Sequence, residues 1–152
     1  MYTNHHRGFT YIELLVVVAL FGIILSFGMA MNLGSISRTS VLQERDLFVS
    51  LLLTGARAQA LANIDEKPHG IYIDNDAHEY ILFEGTDYTE GAAINRVTSF
   101  TSDTLTITNT GGNTILFEQL SGDVSEGVGT ITISGNGATQ YITINAVGQI
   151  NW

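Results

Sequence analysis

The segment that decides the fold is RGFTYIELLVVVALFGIILSFGMAM, residues 7–31. Its core, LLVVVALFGIILSFGMAM at residues 14–31, is an 18-residue run without a charged side chain. As an α-helix rising about 1.5 Å per residue, this run would be roughly 27 Å long, close to the thickness of a bilayer's hydrocarbon layer. Arg7 precedes the run and no acid lies before residue 13, so the positive-inside rule places the start of the chain in the cytoplasm and the remainder outside.

Two ordinary explanations of this segment are a cleaved secretory signal and a plain signal anchor. The apolar part of a secretory signal is usually about 7–15 residues long and ends in an Ala-x-Ala-like site. Here the run is longer, and GMA at residues 28–30 fits such a site poorly. Neither explanation accounts for Glu13, because an acid inside an apolar membrane-length segment is costly and by default functional.

Glu13 needs a positively charged partner, and no Lys or Arg lies between it and Arg38. Cleavage between Gly8 and Phe9 would create an α-amine four residues before Glu13. That amine could pair with the carboxylate within one helix or between neighbouring chains.

On these residues the chain resembles a known family. RGFTYIELLVV, residues 7–17, is similar to the class III signal of type IV pilins and type II secretion pseudopilins, with a Gly, an aromatic residue and an acid at fixed spacing. The resemblance implies that prepilin peptidase cleaves after Gly8, that Phe9 is then N-methylated, and that Glu13 is the assembly residue. The chain departs from major pilins, which commonly carry a proline in this helix, because Pro68 is its only proline.

Residues 38–63 predict an amphipathic helix that continues the first segment. Polar side chains recur at spacings of three and four residues, and most of the remaining circumference is apolar; the polar stripe is Gln43, Asp46, Ser50, Thr54 and Arg57. Ser40 followed by Gln43 predicts an N-cap with a capping box. The wide apolar surface is explained by burial within the chain's own domain or by additional packing on neighbouring subunits, and we favour the second.

Residues 64–152 predict an acidic antiparallel β domain, either a single sheet or a sandwich. The region has two cations and twelve acids, a net charge of −10, against +1 for residues 1–63. Apolar residues alternate with threonines, as in half-buried strands. Strands are expected at residues 69–74, 79–84, 94–100, 104–108, 114–120, 130–134 and 140–145. The fold class is therefore α+β and pilin-like: a long N-terminal helix, membrane-spanning in its first half, packed on this domain.

Candidate ligand sites outside the N-terminus are weak. Asp74 and Asp76 place carboxylates on one tight turn, as a Ca²⁺ loop would, but solvated hairpin acids are the preferred interpretation because the pattern lacks an EF-hand's glycine and distal Glu. His69 and His78 could approach each other across the hairpin, but two histidines without a third ligand make a poor metal site. No cofactor or catalytic group is expected, and Tyr72, Tyr80, Tyr88 and Tyr141 are interpreted as strand residues.

The order of helix, hairpin and threonine-rich strands also resembles the H-type minor pseudopilins and the fimbrial T-type minor pilins. The latter carry a Gly-Arg motif for DNA uptake where this chain has GQI at residues 148–150, so nucleic acid is not expected as a partner, and the acidic charge also opposes it.

The sequence therefore predicts four segments: a cytoplasmic leader at 1–8, a transmembrane and filament-core helix at 9–37, the amphipathic helix at 38–63 and the acidic β head at 64–152. The implied function is a structural subunit of a type II secretion pseudopilus or a type IV pilus. Its partners would be prepilin peptidase, other pilin or pseudopilin subunits and an inner-membrane assembly platform. The chain would cross the inner membrane once and later join a fibre in the periplasm or at the cell surface. The alternatives are an anchored or secreted β-domain binding module and a DNA-uptake minor pilin.

Overall fold

The computed structural model describes residues 10–135 and 137–152, without the side chains of residues 27–38. The predictions about residues 1–9, which include the leader, Gly8 and Phe9, therefore lie outside the described residues. The chain divides into two compact units, Met1–Ile36 and Ser37–Trp152, and each is described by itself.

The helical region begins with α1, Tyr11–Ser50, followed by a π-helical segment, Leu51–Arg57, and a short helix α2, Ala58–Leu61. The predicted N-cap at Ser40 is wrong, because Ser40 lies inside α1, where the helix continues without a break. No proline lies between Tyr11 and Ser40 to interrupt the helical hydrogen bonds, so no new helix starts there. A 3₁₀ turn, Ile64–Glu66, then leads into the first strand.

One face of the helical region in the second unit is buried. Its side chains follow one another at spacings of three or four residues: Val41, Glu44, Phe48, Leu52, Ala56 and Ala60. Four successive four-residue steps would drift around a regular α-helix of 3.6 residues per turn. The π-helical segment has wider turns with i→i+5 hydrogen bonds, so it keeps these residues on the core side.

The opposite face of that helical region is polar and exposed, as the spacing predicted. Gln43, Asp46, Ser50 and Thr54 are all exposed, whereas Arg57 is only partly exposed. The prediction of an amphipathic helix is therefore confirmed for the residues up to Thr54.

Nine strands follow in the part of the chain that the structure describes, and they form two antiparallel sheets. Their bounds are β1 His69–Asp74, β2 Glu79–Glu84, β3 Arg96–Ser99, β4 Thr106–Asn109, β5 Thr114–Phe117, β6 Val124–Glu126, β7 Gly129–Gly135, β8 Ala138–Ile144 and β9 Ile150–Asn151. The five-stranded sheet has the order β3-β2-β1-β5-β6, and the four-stranded sheet has the order β4-β7-β8-β9. The predicted hairpin of β1 and β2 is confirmed, with His69 opposite Glu84 and Asp74 opposite Glu79.

Helix and sheets share one hydrophobic core. The helix contributes Phe48 and Leu52, the first sheet contributes Ile71 and Phe117, and the second sheet contributes isoleucines from alternate positions of its strands. Those isoleucines are Ile107, Ile131, Ile133, Ile142 and Ile144. The alternation of isoleucine with threonine in this sheet is therefore the pattern of strands with one buried face.

The outer edge of β4 is occupied by a side chain of the β1–β2 turn. Asn75 donates from Nδ2 to the carbonyl oxygen of Ile107 at 2.7 Å, and the Ile107 N–H donates to Asn75 Oδ1 at 2.9 Å. Both backbone groups of Ile107 that point away from the sheet are thereby satisfied, and the carboxamide takes the place of a neighbouring strand.

Candidate functional site

The first helix begins with a capping box formed by Thr10 and Glu13. The Thr10 N–H and the Thr10 hydroxyl both donate to Glu13 Oε2 at 2.8 Å, and the Glu13 N–H donates to Thr10 Oγ1 at 3.4 Å. These reciprocal bonds satisfy backbone donors that an α-helix leaves unpaired at its start. A Thr-x-x-Glu spacing was available in the sequence as the signal for this cap, and the capping box predicted at Ser40 belongs here instead.

The position of Glu13 suits a negative charge. Its carboxylate lies in the first turn of α1, where the helix dipole presents partial positive charge. Thr10 contacts only Oε2, and no hydrogen bond within the described residues involves Oε1. One carboxylate oxygen thus fixes the helix start, while the other has no partner among the described residues.

The part of α1 that follows this cap exposes its apolar side chains. Every described side chain from residue 10 to residue 26 is exposed, including Leu15, Phe21 and Leu25. Soluble monomers rarely expose contiguous apolar surface on this scale, and such a surface marks a candidate site for contact with protein or membrane. Within the described part of the chain, no helix combines the length and hydropathy needed to cross a membrane.

A second acid of the helical region, Glu44, is fully buried against the β-sheets. The Tyr80 hydroxyl donates to Glu44 Oε1 at 2.6 Å, and the Thr101 N–H and hydroxyl donate to Oε2 at 2.7 and 2.6 Å. Burial raises the pKa of Tyr80 above its ordinary value, and the hydrogen bond to Glu44 and the negative charge of that carboxylate raise it further. Glu44 therefore fastens the helix to the strand β2 and to the segment after β3.

From the sequence alone Glu44 had no assigned role, since it does not belong to the polar stripe of this helix. The signal was present, since Glu44 lies four residues before Phe48, which is itself four residues before Leu52. Residues spaced four apart on a helix share a face. Phe48, on the same face, stacks on Tyr80 with a ring separation of 4.8 Å, so the partner of the carboxylate is packed against the helix.

At the candidate calcium site on the first hairpin, the Asp74 carboxylate makes hydrogen bonds with the backbone of the turn. Asp74 Oδ1 accepts hydrogen bonds from the N–H groups of Asp76 and Ala77 at 3.0 and 2.9 Å. Such a carboxylate stabilises the turn itself. No cluster of three or more His, Cys, Asp or Glu side chains able to hold a metal occurs in residues 10–135 and 137–152.

Two of the sequence interpretations near this hairpin are wrong. His69 starts β1 opposite Glu84, whereas His78 lies in the turn at the other end of the hairpin, so the two histidines cannot meet. Tyr88 lies in the loop after β2 and not in a strand. Its ring stacks on Tyr72 at 4.2 Å, a contact between loop and sheet that strand alternation cannot predict.

Comparisons with known proteins agree with this arrangement. Residues 3–29 match the family model described as the prokaryotic N-terminal methylation motif. The fold is similar to the crystal structure of the type IV minor pilin FimU of Pseudomonas aeruginosa strain PAO1, with a TM-score of 0.53 and 17% sequence identity over 74% of this chain and 89% of that one. No protein of curated function matches the chain significantly in sequence.

The helix and the two antiparallel sheets thus define an α+β protein of the pilin fold, which confirms the predicted fold class. The methylation motif at its start and the fold of the described residues together make the chain similar to type IV pilin-like proteins.

Proposed function

We propose that the chain is a structural subunit, and not an enzyme, of a type IV pilus or a type II secretion pseudopilus. The observation that carries this proposal is the apolar helix of residues 10–26. Its described side chains are all exposed, and it begins with a capping box that contains the Glu13 carboxylate. Such a surface is suited first to lipid and then to the helices of other subunits. The proposed partners are therefore prepilin peptidase, other pilin or pseudopilin subunits and an assembly platform in the inner membrane.

Processing would precede assembly. Prepilin peptidase would cleave between Gly8 and Phe9 and methylate the new amine of Phe9, and the run at residues 14–31 would hold the chain in the inner membrane until it is extracted into a fibre. Thr10 would remain the second residue of the mature chain, so the capping box with Glu13 would survive cleavage.

Glu13 would serve both its own helix and a neighbouring one. Thr10 engages Oε2, which leaves Oε1 for the methylated amine of an incoming subunit. An ion pair in an apolar fibre core is strong only when both charges are present, and removing one partner of such a pair costs about 3–5 kcal/mol. The carboxylate would therefore select neighbours whose leader has already been removed.

Intact-mass analysis of the mature chain tests the processing step. We expect a mass that begins at Phe9 and carries one added methyl group. A mass that begins after Ala30 would indicate plain secretion of a β-domain binding module, and an uncleaved mass would indicate a simple anchor. Either result would contradict the proposal.

Fibre incorporation tests the role of Glu13. We expect Glu13→Gln to be cleaved normally but to enter fibres at least tenfold less, because the amide has no charge for the amine; the matched control, Thr10→Ala, retains the carboxylate and should still enter fibres. Equal incorporation of Glu13→Gln and the parent would overturn the electrostatic account. The abundance of the chain in isolated fibres then separates a minor subunit, which we favour, from a major one.

A further inference from the structure

The outer edge of β3 is a feature of the β head that fibre assembly through the N-terminal helix does not use. β3, Arg96–Ser99, lies at one end of the five-stranded sheet and pairs with β2, from Arg96 opposite Leu82 to Ser99 opposite Glu79. In the described part of the chain, no strand lies on its other side. Such an edge is a template on which another extended chain can add.

The hydrogen-bond pattern between β2 and β3 shows which backbone groups of β3 point outward. The Phe100 N–H donates to the carbonyl oxygen of His78 at 2.8 Å, which makes these two residues a hydrogen-bonded pair. Such pairs alternate along an antiparallel ladder, so Thr98 also bonds to β2. The N–H and C=O groups of the alternate residues, Val97 and Ser99, therefore point away from the sheet.

These outward backbone groups have no hydrogen-bond partner among the described residues. The next outward N–H along the edge, that of Thr101, donates to Glu44 Oε2 at 2.7 Å, and the outer edge of β4 is covered by Asn75. No side chain of residues 10–135 or 137–152 does the same for Val97 or Ser99, whose own side chains are exposed. The chain thus covers part of its sheet edges and leaves this stretch open.

A cation stands at the start of this open edge. Arg96 is exposed, and its guanidinium forms no hydrogen bond or ion pair with any described residue. The other cation of residues 64–152 is Lys67, whose Nζ lies 3.5 Å from Glu84 Oε2. Glu84 is two residues along β2 from the ladder partner of Arg96, so the acid nearest in register already has a cation. Arg96 can therefore engage a carboxylate from outside the chain.

A cleft lies beside the edge, on the side of the sheet that faces the helical region. Its lining includes Leu82, Ile94 and Arg96 on the sheet side and Ala56 and Gln59 on the helical side. Successive side chains of a strand point to opposite faces of its sheet. A strand added to β3 would therefore direct every second side chain to the face on which this cleft and Arg96 lie.

We propose that the outer edge of β3 binds an extended peptide segment of another protein by strand addition, with an acidic side chain of that segment facing Arg96. The outward groups of Val97 and Ser99 supply the affinity, because an extended backbone offers donors and acceptors at the matching spacing. Arg96 supplies the selectivity for an acid. The net charge of the head does not prevent this contact, because at physiological ionic strength charges more than about 8 Å apart are largely screened.

The open stretch favours a flexible segment over the sheet of a folded domain. It comprises two outward-facing residues and ends where Glu44 of the helical region bonds to Thr101. A strand of mean length, about five or six residues, would extend beyond this stretch. A flexible segment pairs only where partners are free. This role goes beyond fibre assembly, because it concerns the β head alone.

Backbone amide exchange of the full-length chain in detergent micelles, followed by NMR, tests the contact. The probe is an acetylated and amidated heptapeptide of alternating threonine and valine with a central aspartate. At millimolar peptide we expect the Val97 and Ser99 amides to exchange at least tenfold more slowly, while the Thr98 amide, which already bonds to β2, changes little. The control peptide carries N-methyl groups on its three central residues, which block pairing along both of its edges, and should protect neither amide.

Four other results would overturn the proposal. Equal protection by the N-methylated peptide would show that binding does not use backbone pairing, and protection confined to another strand would move the site away from β3. No protection at all would remove the site. Protection of the Val97 and Ser99 amides in peptide-free fibres would assign the edge to a second copy of the chain.

Two substitutions separate the backbone contact from the charge. Val97→Pro removes an outward N–H that the ladder does not use, so β3 should still form; we expect it to bind the aspartate peptide at least tenfold more weakly than Val97→Ala, which keeps the N–H. The parent should prefer the aspartate peptide at least fivefold over the same peptide with a central lysine, and Arg96→Gln should abolish that preference. Equal binding by the two Val97 variants, or an unchanged preference in Arg96→Gln, would contradict the proposal.

Discussion

Residues 10–26 and residues 41–60 are two helical stretches of similar apolar character, and each contains one glutamate in a distinctive position. The side chains of the first stretch are all exposed, and Glu13 caps the helix with Thr10. The second stretch buries one face, and Glu44 is enclosed by three donors of the chain's own β domain. Apolar periodicity alone therefore does not show which helical stretch packs on the β domain. The hydrogen-bond donors to its glutamate do show it, because those of Glu44 come from the β domain and those of Glu13 come from its own helix start.

The largest expected effect comes from removal of the buried Glu44 carboxylate. Glu44→Ala would leave the Tyr80 hydroxyl and both Thr101 donors without an acceptor, and we expect a loss of about 3–5 kcal/mol in the free energy of unfolding. Denaturant unfolding of the full chain in detergent micelles, followed by circular dichroism, measures it. Gln43→Ala, at the exposed neighbouring position, should change stability by less than about 0.5 kcal/mol. A loss below about 1 kcal/mol in the free energy of unfolding of Glu44→Ala would mean that the Tyr80 and Thr101 donors do not depend on this carboxylate.

The next prediction compares two leucines, one from each stretch. Leu52 is fully buried and Leu20 is 53% exposed. Leu52→Ala should lower the unfolding free energy of the β domain by about 3 kcal/mol, through lost burial and the cavity it leaves. Leu20→Ala should change the same quantity by less than about 0.5 kcal/mol, because the Leu20 side chain is exposed. Comparable losses from the two variants would show that the first stretch is also packed on its own chain.

The Tyr80 hydroxyl should contribute less than the carboxylate that it contacts. Tyr80→Phe removes one hydrogen bond to a charged group, so we expect about 2 kcal/mol less stability at neutral pH. Because the pKa of Tyr80 is raised on folding, the unfolded chain releases this proton near pH 10 while the folded chain retains it. The contribution of the Tyr80 hydroxyl to the free energy of unfolding is complete below pH 10. Above pH 10 it falls by about 1.4 kcal/mol per pH unit. Between pH 8 and pH 11 the free energy of unfolding should therefore fall less for Tyr80→Phe than for the parent. An equal fall in both proteins would show that deprotonation of Tyr80 is not linked to stability.

The smallest expected effect concerns the cap of the first stretch. Thr10→Ala removes the hydroxyl of the capping box and should cost about 1 kcal/mol of local helix stability. Amide hydrogen exchange of residues 11–14 in micelles measures it, with faster exchange expected there and no change in the β domain. Thr10→Ser, which retains the hydroxyl, is the matched control and should exchange like the parent. If Thr10→Ala leaves exchange unchanged, the capping box does not hold the helix start.

Much of this architecture could be predicted from the sequence, because local patterns encode it. The β1–β2 hairpin has the predicted bounds, and residues 3–29 match the methylation motif on which the family resemblance was based. The strands β6 and β9 were missed because they contain only three and two residues, too few for any period to be visible. β6 also pairs with β5 through a register shift at Leu116/Phe117, which no alternation pattern encodes.

The interior role of Glu44 was missed for a different reason. Its three donors come from Tyr80 and Thr101, which are 36 and 57 residues further along the chain. Composition and periodicity describe near neighbours, whereas a buried acid is satisfied by whatever the tertiary fold brings to it. Intervals of four residues could have placed Glu44 on the inner face but could not have named its partners.

The Asn75 side chain at the outer edge of β4 has a consequence for how copies of the chain meet one another. An open sheet edge is a template for strand addition, by which identical domains aggregate irreversibly. The Asn75 carboxamide occupies both outward backbone groups of Ile107, so fewer free groups remain at this edge for the strand of another copy.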